Sequence, residues 1–438
     1  MPAKPPCDIS EIYDFILVGA GSASCLVASR LSQQQPDHQI FVLEAGEHIR
    51  ADPKVQTPGL ATALLSNPTY DWDYSSAPEP GLNNQSVKHP RGKLVGGSSA
   101  INSHSVVFPN YEWHDRIAEE LLSGSGRKEW ASQGMRNCYK RWQAEQSGPT
   151  ADNDVGSLDR LHTSFPRTMG LIQSRWVEAF EELGHSTNPT GFVESYAGAV
   201  NVTNAIDASK GERSHAGTAF LDSALNRGNV TLRTGVNVDK IAFDELLTAD
   251  GKLNANGIHY TYNGEDHLIS GREIILCAGA FESPAILERS GIGSKEVLAA
   301  ANIPILYELP GVGENLQDHL NCGLSFETRD DIATRDDMLE TPTETQELIQ
   351  KVQQWVAAET NPSLKAQYAL IQEAIESPSE ATATTFMLRL QRHKDAHSLP
   401  KDIPSVVDGN YITVVAIRLS NKQVKQVTAL NLTCLVQT

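Results

Sequence analysis

The chain has 438 residues, 40% of them hydrophobic and 21% charged, and a net charge of −18. That length and balance fit a folded protein with its own core and exclude a disordered chain. The acidic surplus repels phosphate backbones, which excludes nucleic acid as a partner, and no run of roughly 18 apolar residues is present to span a membrane.

The segment Met1–Asp8 has no apolar stretch before the first strand, so no secretory signal is expected and a cytoplasmic location is predicted. The six cysteines (7, 25, 138, 277, 322, 434) show no CxxC spacing, and Cys25 and Cys277 lie in apolar segments as small core residues. Ile12–Val18 reads as a β-strand running into Gly19-Ala20-Gly21-Ser22-Ala23-Ser24, with a helical stretch from Cys25 to Leu31 and a second strand from Gln39 to Leu43 ending at Glu44. Strand, glycine turn, helix, strand and acid form the order that cradles a dinucleotide. The backbone approaches a pyrophosphate, the helix N-terminus offers free N–H groups, and the acid accepts from a ribose hydroxyl. Glu44 stands 23 residues after Gly21, close to the expected spacing. The candidate contacts are Gly19, Gly21, Ser22, Ala23, Glu44 and Ala45. Ser24 replaces the third glycine, which predicts a slightly displaced helix. As a strand-end carboxylate, Glu44 is expected to contribute little to the core. This segment does not separate NAD(P) from FAD.

Further along, His89-Pro90-Arg91-Gly92-Lys93-Leu94-Val95-Gly96-Gly97-Ser98-Ser99-Ala100-Ile101-Asn102 makes a backbone-lined loop that can pass a flat ring or a phosphate. Tyr111–Glu145 is helical in pattern. Gly211–Leu221 precedes a strand over Asn229–Val238, and Glu273–Ala278 is another strand. It leads into Gly279-Ala280-Phe281-Glu282-Ser283-Pro284-Ala285-Ile286-Leu287-Glu288-Arg289-Ser290-Gly291-Ile292-Gly293. There, Ser283 as N-cap and Pro284 as first residue predict a helix start, and Ser290-Gly291 its glycine C-cap. Pro310–His319 closes the set.

These blocks together resemble the glucose–methanol–choline (GMC) family of flavin oxidoreductases, with the helical piece at 111–145 closest to its fungal branch. The resemblance implies an α/β fold: a parallel, doubly wound, Rossmann-like FAD-binding domain from residues 8–150 and 200–325. A partial α+β substrate-binding domain would take 151–199 and 326–438. It also implies FAD as cofactor, with Val95, Ser98, Asn102 and Ser103 on the flavin side and Val236 placing its backbone N–H and C=O on the adenine edge. Ile101 stands where covalently linked relatives carry a histidine, so the FAD is expected to be non-covalent. His319 is structural by the same resemblance.

Past Cys322 the pattern changes. Glu340–Glu376 carries apolar residues at helical spacing and Asn410–Ile417 alternates as a strand. The family's base is a histidine paired with an asparagine or a second histidine near the C-terminus. Residues 421–438 contain no histidine, so the resemblance implies a C-terminally truncated chain whose catalytic residues are unassigned. The expected activity is oxidation of an alcohol group on a small metabolite. The alternative is a GMC-fold pseudoenzyme, cyclase or lyase. His393 and His397, four residues apart with no third ligand nearby, read as a solvated face, and no metal site is expected. Only one dinucleotide fingerprint is present, which sets aside a reductase with separate FAD and NAD sites.

Overall fold

The computed structural model describes residues 12–49, 51–108, 111–146, 159–165, 171–188, 198–200, 202–244, 252–316, 318 and 320–327, positions 354 and 357, and strands at 387–388 and 411–418. The chain divides into two compact units, residues 1–169 with 188–316, and residues 170–187 with 317–438.

In the first unit, β1 (Ile12–Val18) leads into α1 (Ser22–Gln34) and then β2 (Ile40–Leu43); β3 (Val230–Arg233), β4 (Val236–Phe243), β5 (Ala255–Tyr262), β6 (Glu265–Leu276) and α2 (Gly279–Arg289) follow. The six strands form one sheet in the order β3-β2-β1-β6-β5-β4. β3, β2, β1 and β6 are parallel, while β6, β5 and β4 make an antiparallel meander. The sheet is therefore mixed, where an all-parallel one was expected. At β5 and β6 the cause is the two-residue link Asn263-Gly264, since a parallel neighbour needs a crossover of a dozen residues or so.

Layering explains the unbroken apolar runs of the parallel strands. Leu17, Ile40 and Val42 pack on one face with Cys25 and Ala28 of α1 and with Phe220 and Leu221. Ile16, Val18, Phe41 and Leu43 pack on the other with Ile258, Ile269 and Ile286. A strand covered on both faces has no side left for polar residues. Small residues on α1's inner face (Ser24, Cys25, Ala28, Ser29 and Ser32, all buried) let the helix lie close to the sheet.

Two local expectations shift. The strand over 229–238 is two strands in different places, because Gly235 adopts φ +69 and turns the chain between β3 and β4. The second helix begins at Gly279 rather than Ser283, with Pro284 inside it. Lacking an N–H, Pro284 makes no bond to the Ala280 carbonyl, yet its fixed φ suits the helix. Its other end is as read: Gly291 has φ +81 and its N–H donates to Glu288 O at 2.8 Å. The helical piece is also as read, with helices at Tyr111–Glu120, Ser125–Trp130 and Ser132–Trp142.

In the second unit, Leu171–Glu182 is a helix, and β7 (Leu320–Glu327), β8 (Met387–Leu388) and β9 (Tyr411–Arg418) form an antiparallel sheet with β9 central. The strand read at 410–417 is this β9. The helical pattern of 340–376, His319, His393 and His397 lie outside the described residues. Among the described residues, no helix is long and apolar enough to cross a membrane.

Candidate functional site

A cleft of about 480 Å³ opens at the carboxyl ends of β1, β2 and β6. That is the position where the strand order of an open α/β sheet reverses and ligands bind. Gly19, Gly21, Ser22 and Ala23 line it from the turn after β1, and Glu44 and Ala45 from the end of β2. Ser98 and Val236 complete the predicted residues found there.

Backbone contacts build this end of the cleft. Gly19 has φ +95, and a Cβ on it would meet Cys277 O at 2.7 Å. Gly97 has φ +53, and a Cβ there would lie 2.7 Å from the Cα of Gly21. The two glycine motifs, distant in sequence, are pressed backbone to backbone, and Gly96 N–H donates to Ala20 O at 2.8 Å. α1 starts at this contact with no side-chain cap and no acid in its first turn. Its N–H groups and the positive end of its dipole thus remain available to an anion.

Glu44 is only 6% exposed. Its Oε2 accepts from Ala20 N–H at 2.6 Å and its Oε1 from Gly46 N–H at 2.9 Å. Burial raises its pKa to about 7, against the pull of those backbone donors and of Lys93. The carboxylate therefore clasps the glycine turn to the end of β2, contrary to the expectation that it adds little to the fold. Ala45 N–H also bonds the carboxylate, and of a carboxylate's roughly four acceptor sites one is left for a further donor. Val236 is buried, and its N–H donates to Glu44 O at 2.9 Å. That N–H is therefore engaged within the protein. Val238, two residues on along β4, lines the cleft as well.

Three predicted residues are elsewhere. Val95 is buried in the core cluster beside Leu17 and Ala216. Asn102 and Ser103 are exposed and do not line the cleft. Asn102 is held by Arg213, whose Nη1 donates to its carbonyl at 2.7 Å and to its Oδ1 at 3.1 Å. Ile101 is buried and apolar. Ser24 is fully buried, and its hydroxyl has no partner among the described residues.

The sequence reading missed the opposite wall. Trp72 and Tyr74 stack at 5.8 Å, Tyr74 meets Phe281 at 5.3 Å, and the Arg91 guanidinium lies 5.1 Å from the Phe281 ring. The Tyr74 hydroxyl donates to Glu282 Oε1 at 2.7 Å, and Arg289 holds the other carboxylate oxygen at 3.2 Å. Burial and the Glu282 carboxylate both push the Tyr74 phenol up. Starting α2 at Gly279 is what brings Phe281 and Glu282 to the cleft. An uncapped helix end, a buried acceptor and an aromatic flank suit a nucleotide cofactor: the anionic part at α1, a hydroxyl at Glu44, and flat apolar surface at the wall.

The family model of GMC oxidoreductases matches residues 13–321. A dehydrogenase of Armillaria gallica is 31% identical over 359 residues, covering 76% of this chain and 55% of the relative. An oxygen-dependent choline dehydrogenase of Escherichia coli is 33% identical over 334 residues, covering 73% of this chain and 56% of its own length. The chain thus spans little more than half the length of the curated relatives it matches. Among solved structures, pyridoxine 4-oxidase of Mesorbium loti superposes with a TM-score of 0.62 at 27% identity, over 72% of this chain and 59% of that one. Formate oxidase of Aspergillus oryzae RIB40 gives 0.73 at 21% identity over 95% and 74%, a likeness of fold.

Proposed function

The chain belongs to the GMC oxidoreductase family, and from that premise we propose that it binds FAD non-covalently and oxidises an alcohol group of a small metabolite. The observation that carries the reading is the meeting of the glycine turn, the uncapped α1 and Glu44 in one cleft. In this reading Ser22 and Ala23 present backbone N–H groups to the pyrophosphate, with Arg91 as the cation that lines the cleft. Glu44 uses its remaining lone pair on the ribose, and Val236 and Val238 flank the base. Ser98 faces the flavin from the cleft wall, Asn102 and Ser103 continue that loop outside the cleft, and Val95 supports it from the core. Ile101 offers no nucleophile for a covalent link.

When bound, the flavin supplies the hydride acceptor. The chain's own residues bind it, orient it and shield it. Residues 8–150 and 200–325 would be the FAD-binding domain, and 151–199 with 326–438 part of the substrate-binding domain, in a cytoplasmic protein. Choline dehydrogenase and pyridoxine 4-oxidase act on small molecules bearing hydroxyl groups, which favours that substrate class here.

The test is the recombinant chain itself. Folded protein should take up FAD, show visible flavin absorbance and release all of it on denaturation. Anaerobic addition of an alcohol substrate should bleach that absorbance. Folded protein that stays colourless in excess FAD overturns the proposal.

A further inference from the structure

Arg213 has no part in the cleft, yet it is 3% exposed and tied to two separate segments. Its Nε donates to Val55 O at 3.1 Å, and its Nη1 to Ser99 O at 3.4 Å and to both oxygens of Asn102. All of these acceptors are neutral. Among the described residues its buried Nη2 has no partner and no carboxylate pairs with it. A buried cation normally has a counter-charge, because removing a lone ion from water is costly.

The surroundings preserve the charge. His104 and His215 are buried nearby, each with one ring nitrogen that has no partner among the described residues. Burial and the Arg213 charge hold their pKa values down to about 3 and about 4, so both imidazoles are neutral near pH 7. The same stretch of chain braces the loop that Arg213 grips. Ser99 Oγ donates to Gly96 O at 2.6 Å and accepts from Ala216 N–H at 3.0 Å, while His215 packs against Gly96. One side of the 96–102 loop meets the cleft at Gly97 and Ser98; the other is gripped by the guanidinium at Ser99 and Asn102.

We propose that Arg213 is a positioning residue that fixes the 98–103 loop against the cofactor and lends it an unpaired positive charge favouring negative charge on the flavin ring. This rests on the reading that the loop faces the flavin. Lysine at 213 would keep the charge and lose the fork that spans Ser99 and Asn102. Aspartate at 102 would keep the Oδ1 acceptor and pair the charge.

The experiment uses the full chain, FAD, and sulfite, which adds to oxidised flavin, bleaches it and leaves negative charge on the ring. Arg213→Lys should bind FAD about tenfold more weakly, the order of a lost charge-assisted hydrogen bond. At saturating FAD it should keep wild-type sulfite affinity. Asn102→Asp should raise the thermal midpoint of the cofactor-free protein and lower sulfite affinity about tenfold, as an added opposite charge at contact distance would do. Unchanged FAD affinity in Arg213→Lys, or unchanged sulfite affinity in Asn102→Asp, overturns the proposal, and either variant decides alone if the other does not fold. A purely structural arginine would move the thermal midpoints and leave sulfite affinity alone. Failure of the wild-type chain to take up FAD would instead sink the functional reading beneath it.

Discussion

The two walls of the cleft are built differently. The wall at the ends of β1 and β2 is backbone: glycines at Gly19, Gly21 and Gly97, the first turn of α1, and a carboxylate clasping two N–H groups. The facing wall is side chain: Trp72, Tyr74, Arg91 and Phe281 meet through rings, a cation and one hydroxyl. A backbone wall has no rotamers to freeze, so it is ready-made for a ligand but has no room for an added atom at Gly19 or Gly97. A side-chain wall adapts, and losing one of its contacts costs little.

If that contrast holds, the largest loss comes from one methyl group on the backbone wall. Gly97→Ala sets a Cβ 2.7 Å from the Cα of Gly21 at φ +53; strain of about 3 kcal/mol or more should weaken FAD binding over a hundredfold. Flavin fluorescence titration measures it, and affinity within tenfold of wild type would break the comparison.

Glu44 comes next, and it sharpens the contrast because its role is partly structural. Glu44→Ala strands Ala20 N–H and Gly46 N–H, so stability should fall by roughly 2–4 kcal/mol along with FAD affinity. Denaturant unfolding of the cofactor-free variant reads this directly. The clasp also has a pH signature. Its folded pKa of about 7 lies above the ordinary 4.5, so the folded state holds the proton more tightly. Its contribution is fully present below about 4.5 and is lost as pH rises through about 7. Unfolding free energies at pH 5 and pH 8 should differ more in wild type than in Glu44→Gln, and equal differences would count against a titrating clasp.

On the side-chain wall, Tyr74→Phe removes only the hydroxyl held by Glu282. A single hydrogen bond of about 1 kcal/mol predicts FAD release several-fold faster with little change in melting temperature; stopped-flow dilution would show it. The smallest effect is a gain. Ser24→Ala removes a buried hydroxyl that has no partner among the described residues and should stabilise the protein by about 1 kcal/mol, within reach of calorimetry.

What the sequence made legible follows the same division. β1, α1 and β2 appear within a few residues of where strand, turn and helix signals put them, because those signals are local. Glu44 was readable as an acceptor, but not as a clasp, since its donors come from a turn 24 residues back and from its own neighbour Gly46. The start of α2 was misplaced because proline favours first-turn positions, and here it sits further in. Val95, Asn102 and Ser103 could be placed on a loop, but the hold on Asn102 comes from Arg213, over a hundred residues away, and no local pattern shows it. Tyr74 and Glu282 are 208 residues apart, and no local pattern joins them.

The contact of Gly97 with Gly21 has a further consequence, for protein engineering and for drift. β1, α1 and β2 look like a portable module of some thirty residues that could be grafted onto another sheet. Yet one side of its glycine turn is made by residues 96–97, so a graft ending at Ala45 would carry the motif without the surface against which it is shaped. The transferable unit is two peptides, and a side chain added at Gly97 is felt by the glycine turn. Gly97 is the fixed member of the pair, since its φ of +53 and the 2.7 Å approach to Gly21 leave no room for a Cβ, whereas a Cβ on Gly21 would meet Gly97 only at 3.9 Å.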